Sequence, residues 1–253
     1  MNIISVNESN IDEEHICCVI SDKKGENCVS SKKAWMEERF RDGLIFKKAD
    51  VRGKVFIEYI PAEKAWSPVN AENYMFINCL WVSGQYKGQG ISSLLLQECI
   101  DDTKRQNKDG IIIVTSKKKM PFLSDPKYLK YKGFETCDTA HPYFELLCLS
   151  FNNDNKLPTF KDCAKDGKIA DKEGVTLYYT NQCPYTEKYT SLLKDIADKK
   201  AIPFNLIKIN TLEKAQNAPT VWTTYSIFIN GNFVTNEILT EKKFLKLIDE
   251  NFK

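Results

Sequence analysis

The stretch Leu80-Trp81-Val82-Ser83-Gly84-Gln85-Tyr86-Lys87-Gly88-Gln89-Gly90-Ile91-Ser92-Ser93, running on into Leu94-Leu95-Leu96, constrains this chain more than any other. An apolar strand enters a glycine-bearing turn, and the turn opens a helix. Glycine lets the main chain adopt unusual angles and approach a ligand closely. The first N–H groups of a helix have no partner inside it, so such a turn is a socket for phosphate oxygens. Two phosphate-loop patterns are excluded. There is no G-x-x-x-x-G-K-[ST], and Gly88-x-Gly90 lacks the third glycine of the dinucleotide fingerprint.

At 253 residues the chain suits one large domain or two small ones. A hydrophobic content of 42% with 28% charged residues is ordinary for a globular protein. The net charge of +2 gives no global basic field that calls for nucleic acid. No apolar run approaches the roughly 18–20 residues of a membrane span. The N-terminus reaches Glu8 without a signal-peptide layout, so the expected compartment is the cytoplasm. Nine scattered cysteines, Cys17 and Cys18 among them, form no C-x-x-C pair, and there are only two histidines. No metal is expected, nor a disulfide framework; most thiols are expected to be small buried groups.

Periodicity orders the first part. Ile3 to Val6 reads as a strand, followed by helical segments, of which Ser30 to Phe40 has Ser30 as its cap. Strands follow at 44–46 and 55–60, then a loop holding Trp66 between Pro61 and Pro68, then the central strand Tyr74 to Val82. The helix after the glycine turn, 90–107, places Ile91, Leu94, Leu95, Cys99 and Thr103 on one face. Ile111 to Val114 is a continuous apolar run, as in a strand buried on both faces. Asp125-Pro126 caps a short helix ending at Gly133, and strands at 134–137 and 143–151 close the unit.

The glycine turn resembles the coenzyme loop of the GNAT acetyltransferases, whose pattern is [Q/R]-x-x-G-x-[G/A]. Gln85-x-x-Gly88-x-Gly90 fits its letters; Lys87-x-x-Gly90-x-Ser92 fits its spacing from Val82 and to Leu94-Leu95, and is the preferred frame. The element order over 1–151 also resembles this family. The resemblance implies a cofactor, acetyl-CoA, held at Lys87, Gly88, Gln89, Gly90, Ile91 and Ser92. It implies that the central strand splays from the next one and that the main chain of Leu80, Trp81 and Val82 takes the pantetheine arm, a strand addition by ligand. A main-chain N–H near Val82 would meet the developing oxyanion. The basic run Lys117, Lys118, Lys119, Lys127, Lys130 and Lys132 reads as a solvated face or as a contact for the adenosine 3′-phosphate or an anionic substrate.

Acetyl transfer to an amine needs a neutral amine and then a proton for the departing thiolate. The family's tyrosine acid would stand four residues before Gly133-Phe134, where this chain has Leu129. Tyr128 and Tyr131 flank it, and Tyr128 is the first candidate. The central strand offers no glutamate base, which leaves a water chain, Glu58 or Glu145. Cys79 could support an acyl-enzyme, although a core thiol and direct attack by the amine are the simpler readings.

Residues 152–173 read as a polar linker with a docked turn at Phe160. From Gly174 a strand, a turn at Asn181-Gln182-Cys183-Pro184-Tyr185-Thr186, a helix, a strand, a hairpin about Asn230-Gly231 and a closing helix follow. This order resembles the thioredoxin-like fold, with Cys183-Pro184-Tyr185-Thr186 where glutaredoxins carry C-P-Y-C. Thr186 replaces the resolving cysteine, and Thr223 stands where that fold keeps a cis-proline. The whole is similar to GNAT proteins carrying a C-terminal YoaP-like domain.

The expected architecture is therefore α/β (α+β): a GNAT domain at 1–151 with a mixed, splayed central sheet, a linker at 152–173 and a smaller thioredoxin-like, YoaP-like domain at 174–253. The expected activity is transfer of acetyl from acetyl-CoA to the amine of a small molecule or peptide, with neither nucleic acid nor membrane as partner. The alternatives are a glutaredoxin-like thiol protein centred on Cys183 and a non-catalytic acyl-CoA sensor.

Overall fold

In the computed structural model, which describes residues 1–16, 19–24, 26–152, 156–170 and 173–252, the first unit begins with β1 (Ile3–Val6), α1 (Cys28–Phe40), β2 (Ile45–Ala49) and β3 (Val55–Pro61). It continues through β4 (Val69–Asn70), β5 (Tyr74–Val82), α2 (Ile91–Arg105), β6 (Gly110–Ser116), α3 (Pro126–Tyr131), β7 (Glu135–Ala140) and β8 (Phe144–Ser150). Seven of these strands form one sheet in the order β1-β2-β3-β5-β6-β8-β7. All neighbours are antiparallel except β5 and β6, the parallel pair that α2 connects. A crossover of this kind needs a helix between its strands.

The sheet is buried on both faces. Alternation along β3 sends Ile57 and Tyr59 to the α2 side, with Leu95 and Cys99, and Phe56 and Ile60 to the α1 side, with Trp35 and Met36. Polar contacts also fix α2: Lys47 of β2 pairs with Asp102 at 2.8 Å and with Glu98 at 2.7 Å, and the buried Tyr59 hydroxyl donates to Asp102.

After the chain leaves this sheet, β9 (Thr159–Phe160) pairs with β4. The second unit comprises β10 (Val175–Tyr179), α4 (Thr186–Lys199), β11 (Phe204–Lys208), α5 (Leu212–Gln216), β12 (Tyr225–Ile229), β13 (Asn232–Thr235) and α6 (Glu241–Asn251). Its sheet has the order β11-β10-β12-β13, with β10 and β11 parallel and the others antiparallel. Asn230 and Gly231 both take positive φ, +48° and +80°, as a tight hairpin turn requires.

The two units share a core. Ile209, Ala215, Ala218 and Val221 of the second belong to the apolar cluster of Trp35, Phe46, Trp66 and Phe144. Ser67 Oγ donates to the Val221 carbonyl at 3.1 Å, the Tyr143 hydroxyl donates to Asn236 Oδ1 at 2.6 Å, and Asn236 Nδ2 donates to the Pro121 carbonyl at 3.0 Å. The Thr223 hydroxyl, at the position marked for a cis-proline, donates to the Trp66 carbonyl.

Several expectations need correction. One helix, α1, precedes β2 among the described residues, where helical segments were expected; residues 8–13 form turns. Ser30 lies inside α1 and does not cap it: the helix begins at Cys28, and the Asp22 carboxylate accepts from the Val29 and Ser30 amides at 2.7 and 3.1 Å. Leu94 is 37% exposed, and Leu96 is buried in its place, because the inward stripe of α2 follows 91, 95, 99 and 103 with 96 and 102 beside it. At the docked turn expected near Phe160, the chain forms β9, which pairs with β4, and Phe160 is buried. Cys28, Cys99 and Cys148 are buried, Cys79, Cys137 and Cys183 half-buried, and Cys163 exposed. Burial pushes the Cys137 and Cys148 thiols up to about 12 and about 11, which keeps both protonated near neutral pH. Cys17, Cys18 and positions 153–155 and 171–172 of the linker lie outside the described residues.

Candidate functional site

The central sheet opens at one point. β5 and β6 are paired from Tyr74↔Gly110 to Ile77↔Ile113, and there the register ends, although β5 runs on to Val82 and β6 to Ser116. Each strand keeps its outer neighbour to the end: Val82 faces Val55 of β3, and Ser116 faces Phe144 of β8. A bulge marks the opening. Glu58 of β3 faces Cys79, and Tyr59 faces Ile77, which leaves Asn78 as an extra residue in β5. A bulge bends its strand and increases the local twist, so it turns the end of β5 away from β6.

Beyond Val82 the chain makes a short 3₁₀ turn, Gly84–Tyr86, and reaches α2 through Lys87 to Gly90. Gly88 and Gly90 take φ of +76° and +77°, where an L side chain is strained. A Cβ added at either would meet no atom within 4 Å, so the glycines serve the backbone shape and leave the outer side of the loop open. The N–H groups of Gly88 to Ser92 donate to no protein acceptor among the described residues, the first helical bonds being those of Ser93 and Leu94 to the Gly90 carbonyl. The Gln89 side chain closes the loop on the Gln85 carbonyl at 2.6 Å. Tyr86 anchors it: its ring lies against Gly53, where a Cβ would approach Tyr86 to 2.5 Å.

On the α1 face of the opened sheet a cavity of about 380 Å³ lies between the two units. Lys54, Phe56 and Glu58 of one face of the β3 stretch line it, together with Asn78, Cys79 and Trp81 of β5. Phe122, Cys183, Tyr185, Trp222, Tyr225 and Asn236 close it from the loops and the second unit. Among the described residues Glu58 is its one acid. Its side chain and that of Lys32 are 2% and 1% exposed and form an ion pair at 2.5 Å; its other oxygen accepts from Asn78 Nδ2 at 2.9 Å. Lys32 also stands 4.2 Å over the Trp35 ring. A buried carboxylate held by a cation and an amide satisfies the rule that buried charges are paired. The Tyr225 hydroxyl is buried and has no hydrogen bond of ordinary geometry; burial holds its pKa well above the usual tyrosine value.

The predicted residues fall as follows. Leu80 is buried under α2, Val82 is half-buried at the end of β5, and Trp81, 38% exposed, faces the cavity. Lys87, Gly88, Gln89 and Gly90 are exposed, Ile91 is buried and Ser92 is half-buried. Tyr128 packs against the cluster of Leu80, Ile91 and Leu95, and its hydroxyl is buried without a partner among the described residues. Leu129 is a core residue and Tyr131 is 82% exposed. Glu145 pairs with Lys130 at 2.9 Å and does not line the cavity, which separates it from Glu58. In the basic run Lys119 pairs with Asp125 at 3.3 Å. Cys183 lies in the turn before α4, and its carbonyl accepts from the Thr186 amide and hydroxyl at 3.2 and 2.8 Å. Thr186 is buried, so the position of a resolving cysteine is filled by a residue that holds the turn together.

The cavity itself, with Lys54, Asn78, Phe122, Trp222 and Tyr225, escaped sequence reasoning. Part of it lay within reach: Lys54, just before β3, and Phe56 and Glu58 within it alternate and share a face. Cys183, Tyr185, Trp222, Tyr225 and Asn236 come from more than a hundred positions away, and Phe122 from a separate loop.

The Acetyltransferase (GNAT) family profile matches residues 13–120, and the YoaP-like profile matches residues 203–246. The chain is 45% identical over 249 residues, 98% of its length and 99% of the relative's, to the uncharacterized N-acetyltransferase YoaP of Bacillus subtilis strain 168. Among solved structures, it resembles a GNAT family acetyltransferase from Brucella melitensis in complex with acetyl-CoA, with 14% identity, a TM-score of 0.39 and coverage of 63% of this chain and 92% of that one. A ribosomal-protein-alanine N-acetyltransferase from the same organism gives 18% identity, a TM-score of 0.39 and coverage of 58% and 97%. With a relative of this identity matched from end to end, the chain belongs to the GNAT acetyltransferase family and carries a YoaP-like C-terminal region.

Proposed function

We propose that this protein is an acetyl-CoA-dependent N-acetyltransferase that acetylates an amine bound in the cavity between its two units. The observation that carries the reading is the end of β5–β6 pairing at Ile77↔Ile113, beside a loop of unpartnered amides on one side and the cavity on the other. The chain fits the coenzyme in two respects. The positive-φ glycines leave the amides of Gly88 to Ser92 open to a diphosphate, and the Tyr128 hydroxyl is buried without a protein partner. Bound acetyl-CoA supplies the acyl group.

In this reading Lys87, Gly88, Gln89, Gly90, Ile91 and Ser92 hold the diphosphate, and the main chain of Leu80, Trp81 and Val82 bonds to the pantetheine arm in place of the missing β5–β6 pairing. The Val82 N–H faces the charge that develops on the acyl oxygen. Glu58 accepts the proton of the acceptor ammonium, directly or through water, and Lys32 and Asn78 fix its position. Tyr128 holds the proton needed by the departing thiolate. The domain division is 1–151, 152–173 and 174–253. We read the last as a thioredoxin-like module, on the strength of its parallel β10–β11 pair, its hairpin and its helices. That module serves as the far wall of the acceptor cavity, and the protein works in the cytoplasm; among the described residues no helix is long and apolar enough to cross a membrane.

A second reading, thiol chemistry at Cys183, draws on its position in the wall of the same cavity. One experiment separates the two. Release of free coenzyme A is followed across an amine panel, with and without alkylation of the protein by a bulky maleimide. The transferase reading expects amine-dependent release that alkylation blocks, and protection against that block in Cys183→Ser. Glutathione-dependent reductase activity with no coenzyme A release from any amine would favour the thiol reading.

A further inference from the structure

The charges of the cavity are unevenly matched. Of its lining residues, Lys32, Lys54 and Glu58 carry charge, and Lys32 and Glu58 neutralise each other. Lys54 has no ion pair among the described residues and is half-buried at the cavity wall. Its main chain sits at the turn that supports the loop, where the Ser83 amide donates to the Lys54 carbonyl at 3.1 Å. Lys54 and Glu58 lie four residues apart on the same face of the β3 stretch, with Phe56 between them, so their Cα atoms are about 13 Å apart. The space between is flanked by rings: Trp81 from β5 and Tyr185, Trp222 and Phe122 from the opposite side.

We propose that the acceptor is an amine joined through an apolar, ring-bearing body to a carboxylate several bonds away, of the amino-acid or short-peptide class, with its amine at Glu58, its body among the rings and its carboxylate on Lys54. This rests on the acetyltransferase reading and narrows its substrate. A polyamine or an aminosugar has the wrong charge for this wall: it would bring several cations to a lining whose surplus charge is already positive. A plain arylalkylamine would fill the ring-lined space and leave Lys54 unmatched. The 380 Å³ volume suits one ring with its two arms rather than an extended chain.

The test uses three probes with the full-length protein saturated with coenzyme A: 3-[4-(aminomethyl)phenyl]propanoic acid, its methyl ester, and spermidine. Binding is measured by calorimetry, and coenzyme A release is measured separately with acetyl-CoA. The acid is expected to bind at least about tenfold more tightly than the ester, and spermidine more weakly than either. Lys54→Gln should erase the preference for the acid, and Lys54→Glu should reverse it; both changes are at a side chain without an ion pair to lose. Equal binding of acid and ester to the wild-type protein, or tightest binding of spermidine, overturns the inference. Acid-selective binding without any coenzyme A release would remove the transferase reading and leave the ligand class standing.

Discussion

Glu58 accepts a hydrogen bond from the side-chain amide of Asn78 at 2.9 Å, and Asn78 is the residue left without a counterpart where the β3–β5 register slips. One contact thus joins the bulge that ends β5–β6 pairing to the buried acid of the cavity. The opening in the sheet and the polar group beside it share one local device, with Lys32 completing it from α1.

Glu58→Gln should lower the acetyl-transfer rate by about 10²–10⁴-fold, the range of a general base. It also strands Lys32 in the interior, and breaking a buried pair costs about 3–5 kcal/mol. Lys32→Met combined with Glu58→Gln should recover most of that stability while the rate stays low. Thermal unfolding and coenzyme A release, measured on the same preparations, check both halves.

Tyr128→Phe separates function from structure in the opposite sense. The hydroxyl has no protein partner, so its removal should leave stability unchanged or slightly raised, since an unsatisfied buried group costs about 1–3 kcal/mol. Turnover should fall about 10–100-fold, below the general acid–base range because water can replace the acid. An unchanged turnover number would assign Tyr128 to packing alone.

Gly90→Ala introduces no clash, because an added Cβ meets nothing within 4 Å, but it strains a backbone held at φ +77°. A non-glycine residue in this region costs about 1–2 kcal/mol. The coenzyme dissociation constant should rise roughly tenfold or more, about 1.4 kcal/mol per decade, with the fold intact by circular dichroism.

Acid should loosen the docked segment near Phe160. Burial alone would raise the Asp138 carboxyl, but Lys165 at 2.9 Å and the amides of Thr139 and Phe160 outweigh it and hold the pKa below the ordinary value. A depressed carboxyl contributes stability above its unfolded pKa of about 3.9 and loses it as pH falls through the lower folded value. Limited proteolysis with an acid protease should therefore cut near 156–170 more readily below about pH 4, and Asp138→Asn should remove that pH dependence.

The sequence made the sheet and the glycine turn before α2 legible because their signals are local. The run Ile111 to Val114, the Asp125-Pro126 cap and the Asn230-Gly231 turn each act within a few residues, and each lies where periodicity and turn chemistry put it. The cap of α1 was misread because Asp22 reaches it from outside the helix, a contact that the spacing around Ser30 does not encode. The cavity between the two units was least legible. Its walls meet only through tertiary packing, which brings Trp222 and Cys183 to line the same cavity as Trp81. Glu58 and Glu145 are equal candidates in the sequence, and burial, Lys32 and Asn78 distinguish Glu58.

The most direct measurement is a crystal structure of the protein with acetyl-CoA bound. The account predicts the diphosphate within hydrogen-bonding distance of the amides between Gly88 and Ser92, and the thioester between the ends of β5 and β6 beyond Ile77 and Ile113, facing the cavity. A coenzyme bound elsewhere, or β5 and β6 paired through to Val82 and Ser116 with the coenzyme absent at saturating concentration, would contradict it.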